Sequence, residues 1–236
     1  MTLQPRTRAA VPPLPLSVLH FVSPDQAAAA LVARVASDLE QAVAQRGHAS
    51  LAVPGGTTPE TFLRLLGYRH LDWRRIAVTL TDERWVPPEH ERSNARLVAR
   101  SLGSYGRPYR WYPLYRAATG LDSAVPRVEY ESGSLGWPLD VVVLGMGDDG
   151  HVASLFPGSN AGFDDAASRR FVSVKGPGGE PRISLTATAL REARSLYLLL
   201  NGDRKLAVLD RAATEGLPVA RVLSTRRNQA TAFTSQ

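Results

Sequence analysis

The stretch Leu139-Asp140-Val141-Val142-Val143-Leu144-Gly145-Met146-Gly147-Asp148-Asp149-Gly150-His151 decides the fold. Its first half is apolar without alternation, which predicts a strand over 139–144 buried on both faces. Its second half replaces side-chain bulk with glycine and charge at the strand's carboxyl end. Upstream, a helical pattern covers 121–135, and further strand patterns lie at 17–22, 50–53, 75–80 and near 110–112. Downstream, strands are expected at 171–174, 182–185, 195–200 and 219–222, with a helix over 202–213. Helices also separate the early strands: 24 to about 45 after Ser23-Pro24-Asp25-Gln26, then 59–66, then 93–102. Buried strands alternating with helices mean parallel crossovers, so the expected fold class is α/β, a single-domain, doubly wound, mainly parallel Rossmann-like sheet with helices on both faces. Residues 1–16 are rich in proline and arginine without period and read as a flexible extension, leaving 17–236 as the α/β domain.

Ligands of such sheets bind outside the carboxyl ends of the strands, so the loops after Val53, Leu80 and Leu144 should share one crevice. The first, Pro54-Gly55-Gly56-Thr57-Thr58, combines glycines, hydroxyls and a helix N-terminus. That chemistry suits a phosphate or carboxylate, although an ordinary strand-to-helix turn would look the same. It lacks the lysine and spacing of a Walker loop. The second, Thr81-Asp82-Glu83-Arg84-Trp85, either orients a sugar hydroxyl through Asp82 and Arg84 or supplies a helix-cap carboxylate with a paired arginine. The third fits G-x-G-x-x-G, but its two aspartates would repel a pyrophosphate and Pro157 stops a following helix. What remains there is a turn presenting Asp149 and His151, a candidate general base with its orienting acid.

Composition narrows the classes. The 236 residues are 44% hydrophobic and 21% charged, without a run of about 18 apolar residues or a signal-peptide core, so a cytoplasmic protein with no membrane partner is expected. Cysteine is absent, which removes disulfides, thiolate metal sites and cysteine nucleophiles. The net charge of +6 sits mainly at the ends: residues 1–24 carry +2, 216–236 carry +3 and the body only +1. No nucleic-acid partner is expected from that distribution. Of the 28 basic residues only Lys175 and Lys205 are lysines, which singles them out where arginine fills nearly every other basic position.

Five segments carry a resemblance: GGTTP at 55–59, TDERWVP at 81–87 with His90 and Ser93-Asn94, LGMGDDGHVASLFPG at 144–158, PRISLT at 181–186 and NGDRKLAVL at 201–209. Together they resemble the 6-phosphogluconolactonase family over about 17–222. The resemblance implies hydrolysis of 6-phospho-D-glucono-1,5-lactone to 6-phospho-D-gluconate in the oxidative pentose phosphate pathway, with no metal and no cofactor. It implies His151 as the base that activates water, oriented by Asp149 or a nearby carboxylate. It further implies the phosphate on Gly55, Gly56 and Thr57 with Arg182 and Lys205, and Asp82 and Arg84 positioning the sugar. Lys175 matches a family lysine. The partner implied is a small-molecule sugar-phosphate lactone, the chain being a monomer or weak homo-oligomer. Glucosamine-6-phosphate deaminases share the fold, but their catalytic glutamate falls at Phe156 here; a non-catalytic sugar-phosphate-binding protein is the other alternative. Two departures stand out: the tail 223–236 lacks the family's tryptophan-containing strand, and Gly176–Glu180 is richer in glycine than the usual loop.

Overall fold

The computed structural model describes residues 13–164 and 169–235. In chain order the elements are β1 (Leu16–Phe21), α1 (Pro24–Arg46), β2 (Ala49–Val53), α2 (Thr58–Gly67), β3 (Ile76–Leu80), β4 (Asp82–Arg84), α3 (Asn94–Ser101), β5 (Arg110–Tyr112), α4 (Leu121–Glu131), β6 (Val141–Leu144), β7 (Phe171–Lys175), β8 (Pro181–Leu185), α5 (Ala187–Glu192), β9 (Ser195–Asn201), α6 (Asp203–Glu215), α7 (Pro218–Leu223) and β10 (Ala230–Ser235). Seven strands form one parallel sheet in the order β1-β10-β9-β6-β2-β3-β5. Right-handed crossovers that step one way from β1 through β5 put α1, α2 and α3 on one face; the return through β6, β9 and β10 puts α4 to α7 on the other. The core lies on both sides of β2, β3, β6 and β9, whose apolar side chains are essentially inaccessible. No helix among the described residues is long and apolar enough to cross a membrane.

Local chemistry sets the element ends. Ser23 is extended and its Oγ accepts from Gln26 N at 3.3 Å, Pro24 opens α1, and Gly47 closes it at φ +77°. Three expectations need correction. Residues 219–222 are not a strand but part of α7, because Pro218 stands at its first turn and the chain enters extended at Leu217. The place in the sheet goes to β10, inserted in parallel between β1 and β9. The strands at 171–175 and 181–185 leave the large sheet and form, with β4, an antiparallel sheet ordered β4-β8-β7. Five residues join them, and a parallel crossover needs a dozen or more. Of the expected 1–16 extension, residues 1–12 lie outside the described residues. Strand β1 begins at Leu16, and Pro15 O already accepts from Ala230 N at 2.9 Å.

Candidate active site

The chain leaves β2 toward β3 on one side and leaves β6 toward β9 on the other, so the two loops diverge and open a cleft between them. This cleft, about 240 Å³, is lined by Gly55, Gly56, Thr57, Asp82, Arg84, Arg182, His151 and Lys205, together with Asn94, Met146 and Ala153. Of the nine residues expected from sequence only Asp149 stands outside the lining, where it contacts His151. Lys175 is exposed at the end of β7, away from the cleft. The first loop is glycine for a steric reason: a Cβ on Gly55 would fall 1.8 Å from Asn94 Oδ1. Asn94 occupies that space as a clamp, its Nδ2 donating to Asp82 O at 2.8 Å and its Oδ1 accepting from Arg84 Nη1 at 2.6 Å.

The cap reading of the Asp-Glu-Arg segment fits Glu83, whereas Asp82 and Arg84 line the cleft. Alternation along β4 turns Asp82 and Arg84 to the cleft and Glu83 to the interior. Glu83, inaccessible to solvent, caps α3: it accepts from Arg84 N, Asn94 N and Ala95 N at 2.8 Å each and from Ser93 Oγ at 3.0 Å. Asp82 has both oxygens engaged, Oδ2 by Ser154 Oγ at 2.6 Å and Oδ1 by Thr81 Oγ1 at 3.2 Å. Such a carboxylate is held in one rotamer, which suits orienting a bound hydroxyl.

The turn after β6 builds the histidine. Gly150 takes φ +78°, and Gly147 N donates to His151 O at 2.9 Å. A Cβ on Gly147 would lie 2.2 Å from His151 Nδ1 and 2.6 Å from Asp149 Oδ1. Asp149 Oδ1 receives His151 N at 3.1 Å and stands 2.6 Å from Nδ1 of the ring. Partial burial works against ionisation of Asp149, but the bonds from the His151 backbone and ring outweigh it and hold its pKa below the usual aspartate value. An ionised carboxylate only accepts, so Nδ1 carries the proton toward it, and in the neutral ring the lone pair is therefore on Nε2. The ring packs on Phe156, centroids 4.8 Å apart, and Ala153 beside it adopts φ +51°, strained for a residue with a side chain. Lys205, in the first turn of α6, donates through Nζ to Met146 O and joins the far wall to this turn.

A model of the family described as glucosamine-6-phosphate isomerases/6-phosphogluconolactonase matches residues 22–232. The chain belongs to this family. It is 46% identical over 201 residues to a 6-phosphogluconolactonase of Rhizobium meliloti (strain 1021), covering 83% of this chain and 87% of that one. A 6-phosphogluconolactonase of Pseudomonas putida is 41% identical over 210 residues, 86% of each chain. Among solved structures, a 6-phosphogluconolactonase from Shewanella baltica OS155 superposes with a TM-score of 0.87 at 31% identity, covering 94% and 98%.

Within this lactonase and isomerase fold, sequence reasoning missed the roles of Asn94, Ser154 and Glu180. Asn94 and Ser154 lay inside quoted motifs, yet only the clash with Gly55 and the approach to Asp82 reveal their contacts. Glu180 sat in a loop read as a departure; its partner is Arg182, two residues on.

Proposed function

We propose that the chain hydrolyses 6-phospho-D-glucono-1,5-lactone to 6-phospho-D-gluconate, the second step of the oxidative pentose phosphate pathway, with water activated by His151. The observation that carries this reading is the His151–Asp149 pair at the carboxyl end of β6, facing a cleft whose other walls offer Gly55-Gly56-Thr57, Arg182 and Lys205. The phosphate rests on the glycine loop between those two cations. Arg84 and Asp82 orient the sugar so that C1 faces Nε2. The lone pair of Nε2 takes a proton from water as its oxygen adds to C1; the ring oxygen then leaves and is protonated, giving the open acid. A δ-lactone is an activated ester, so a positioned base and a cationic, hydrogen-bonding wall are sufficient chemistry without a metal or cofactor. The high similarity to proteins named 6-phosphogluconolactonase supports the substrate class. The same reading takes the enzyme as cytoplasmic, a monomer or weak homo-oligomer, with a sugar-phosphate lactone as partner and no nucleic acid.

The deaminase alternative asks for a carboxylate where Phe156 stacks on His151. One assay separates the possibilities: purified chain with freshly made 6-phosphogluconolactone, unphosphorylated gluconolactone and glucosamine 6-phosphate. Acid release from the first, well above spontaneous hydrolysis and above the second, is expected. Ammonia from the third would favour the deaminase, and binding of phosphosugar without either product would leave a sugar-phosphate-binding protein.

A further inference from the structure

Arg84 and Arg182 are directly opposed across the antiparallel pair β4–β8. Like charges so placed repel, and each guanidinium is held by a different partner. Arg84 Nη1 donates to Asn94 Oδ1 and to Arg92 O at 2.9 Å. Arg182 is held by a single carboxylate oxygen: Nε and Nη2 both donate to Glu180 Oε2, at 3.0 and 2.7 Å. The other oxygen of Glu180 accepts from Arg92 Nη2. Glu180 is itself fixed by the turn between β7 and β8, where Gly176 N donates to Glu180 O at 2.7 Å and Gly178 and Gly179 take φ +68° and +80°. Gly176 leaves the guanidinium its space, since a Cβ there would lie 2.7 Å from Arg182 Nε. On another side the Phe156 ring supports Arg182, its centroid 5.5 Å from Cζ.

The arrangement spends one edge of the Arg182 guanidinium on Glu180 and leaves Nη1, in a long ion pair 3.9 Å from Asp82 Oδ2 and without a hydrogen bond among the described residues, for the cleft. We propose that Glu180 is a positioning residue for phosphate recognition: it orients Arg182 toward the anion while Arg92, from the rim before α3, balances its charge. The proposal rests on reading Arg182 as a phosphate-binding group. A carboxylate beside an anion site would by itself weaken binding. With Arg92 bound to it, the trio carries a net positive charge and the gain in order outweighs the repulsion.

The two effects have opposite signs, which makes the experiment decisive. Glu180→Ala, Glu180→Gln, Arg182→Met and the double variant Glu180→Ala/Arg182→Met are assayed on the phosphorylated and unphosphorylated lactones, and Kd for 6-phosphogluconate is measured by calorimetry. Expected for Glu180→Ala is a rise in KM and Kd of about tenfold, with kcat kept and the unphosphorylated lactone unaffected. Glu180→Gln keeps an acceptor oxygen for Arg182 and should recover most of the loss. In the Arg182→Met background, Glu180→Ala should add nothing. An unchanged or lower KM in Glu180→Ala, or an equal penalty with Arg182 already removed, would overturn the positioning role. If Arg182→Met alone leaves KM and Kd unchanged, the phosphate reading of Arg182 fails, and the role of Glu180 falls with it.

Discussion

At the scale of single residues, the proposed chemistry turns on one imidazole. His151→Gln preserves a polar side chain of similar reach but removes the proton acceptor, so kcat should fall by roughly 10²–10⁴ while binding of 6-phosphogluconate changes little. A variant keeping more than half of the wild-type kcat, after subtraction of spontaneous hydrolysis, would make His151 structural. Asp149 gives a second, pH-resolved test. Its folded-state pKa is depressed below the unfolded value, so its contribution to stability is full above the ordinary aspartate pKa of about 3.9 and disappears as pH falls through the lower folded value. The stability difference between the wild type and Asp149→Asn, from urea melts, should therefore persist from pH 7 down to about 4 and shrink only below that. The side chain is half exposed, which keeps the difference small. A difference that vanishes already near pH 6 would mean that the carboxylate is not held by His151 as described.

At the scale of elements, the tail is where sequence and structure part. β10 reads Ala-Thr-Ala-Phe-Thr-Ser, with no apolar run to announce a buried strand between the edge strand β1 and buried β9. Its polar side chains bond to the strands on either side, Thr234 Oγ1 donating to Leu19 O of β1 at 3.1 Å and Ser235 Oγ to Asn201 Oδ1 of β9 at 3.3 Å. What delivers the chain to that slot is Arg226, nearly inaccessible, whose guanidinium donates to Leu190 O, Arg191 O and Ala193 O at the end of α5 and to Asn228 O within the turn. Arg226→Met keeps the stem and strips the donors from those carbonyls. Unpaired buried acceptors cost about 1–3 kcal/mol, so Tm should drop by several degrees while kcat/KM at 25 °C is kept. A Tm unchanged in differential scanning calorimetry would show that water replaces the guanidinium. The same contrast explains what was legible. Buried runs such as Val141–Leu144 announce parallel strands by composition alone, and glycine-flanked loops at their ends mark the cleft. Polar β10 and the three-residue β4 depend on contacts between segments distant in sequence, which no local pattern encodes; a cap carboxylate was legible in Asp-Glu-Arg, but that it is Glu83 depends on β4 turning that side chain inward.

At the scale of the whole molecule, the charge of +6 is unevenly placed, and the cleft holds Arg84, Arg182 and Lys205 against Asp82. A substrate phosphate carries close to two negative charges at neutral pH. If the proposed cationic cleft steers it, the attraction acts before any contact forms, through a field screened over a Debye length of about 10 Å at 0.1 M salt and about 3 Å at 1 M. Raising sodium chloride from about 20 mM to 500 mM should thus lower kcat/KM for the phosphorylated lactone several-fold while kcat, measured at saturation, stays within twofold. The unphosphorylated lactone, neutral and of similar shape, isolates general salt effects on the fold, and its kcat/KM should be flat across the series. Lys205→Met should flatten the salt dependence for the phosphorylated substrate in part, because Arg182 and Arg84 remain. If both lactones lose activity in parallel as salt rises, the loss belongs to the protein's stability, and the cationic cleft does not act as an electrostatic guide. If neither changes, attraction operates only at contact range, where the paired carboxylates Asp82 and Glu180 already offset the arginines beyond a few ångströms.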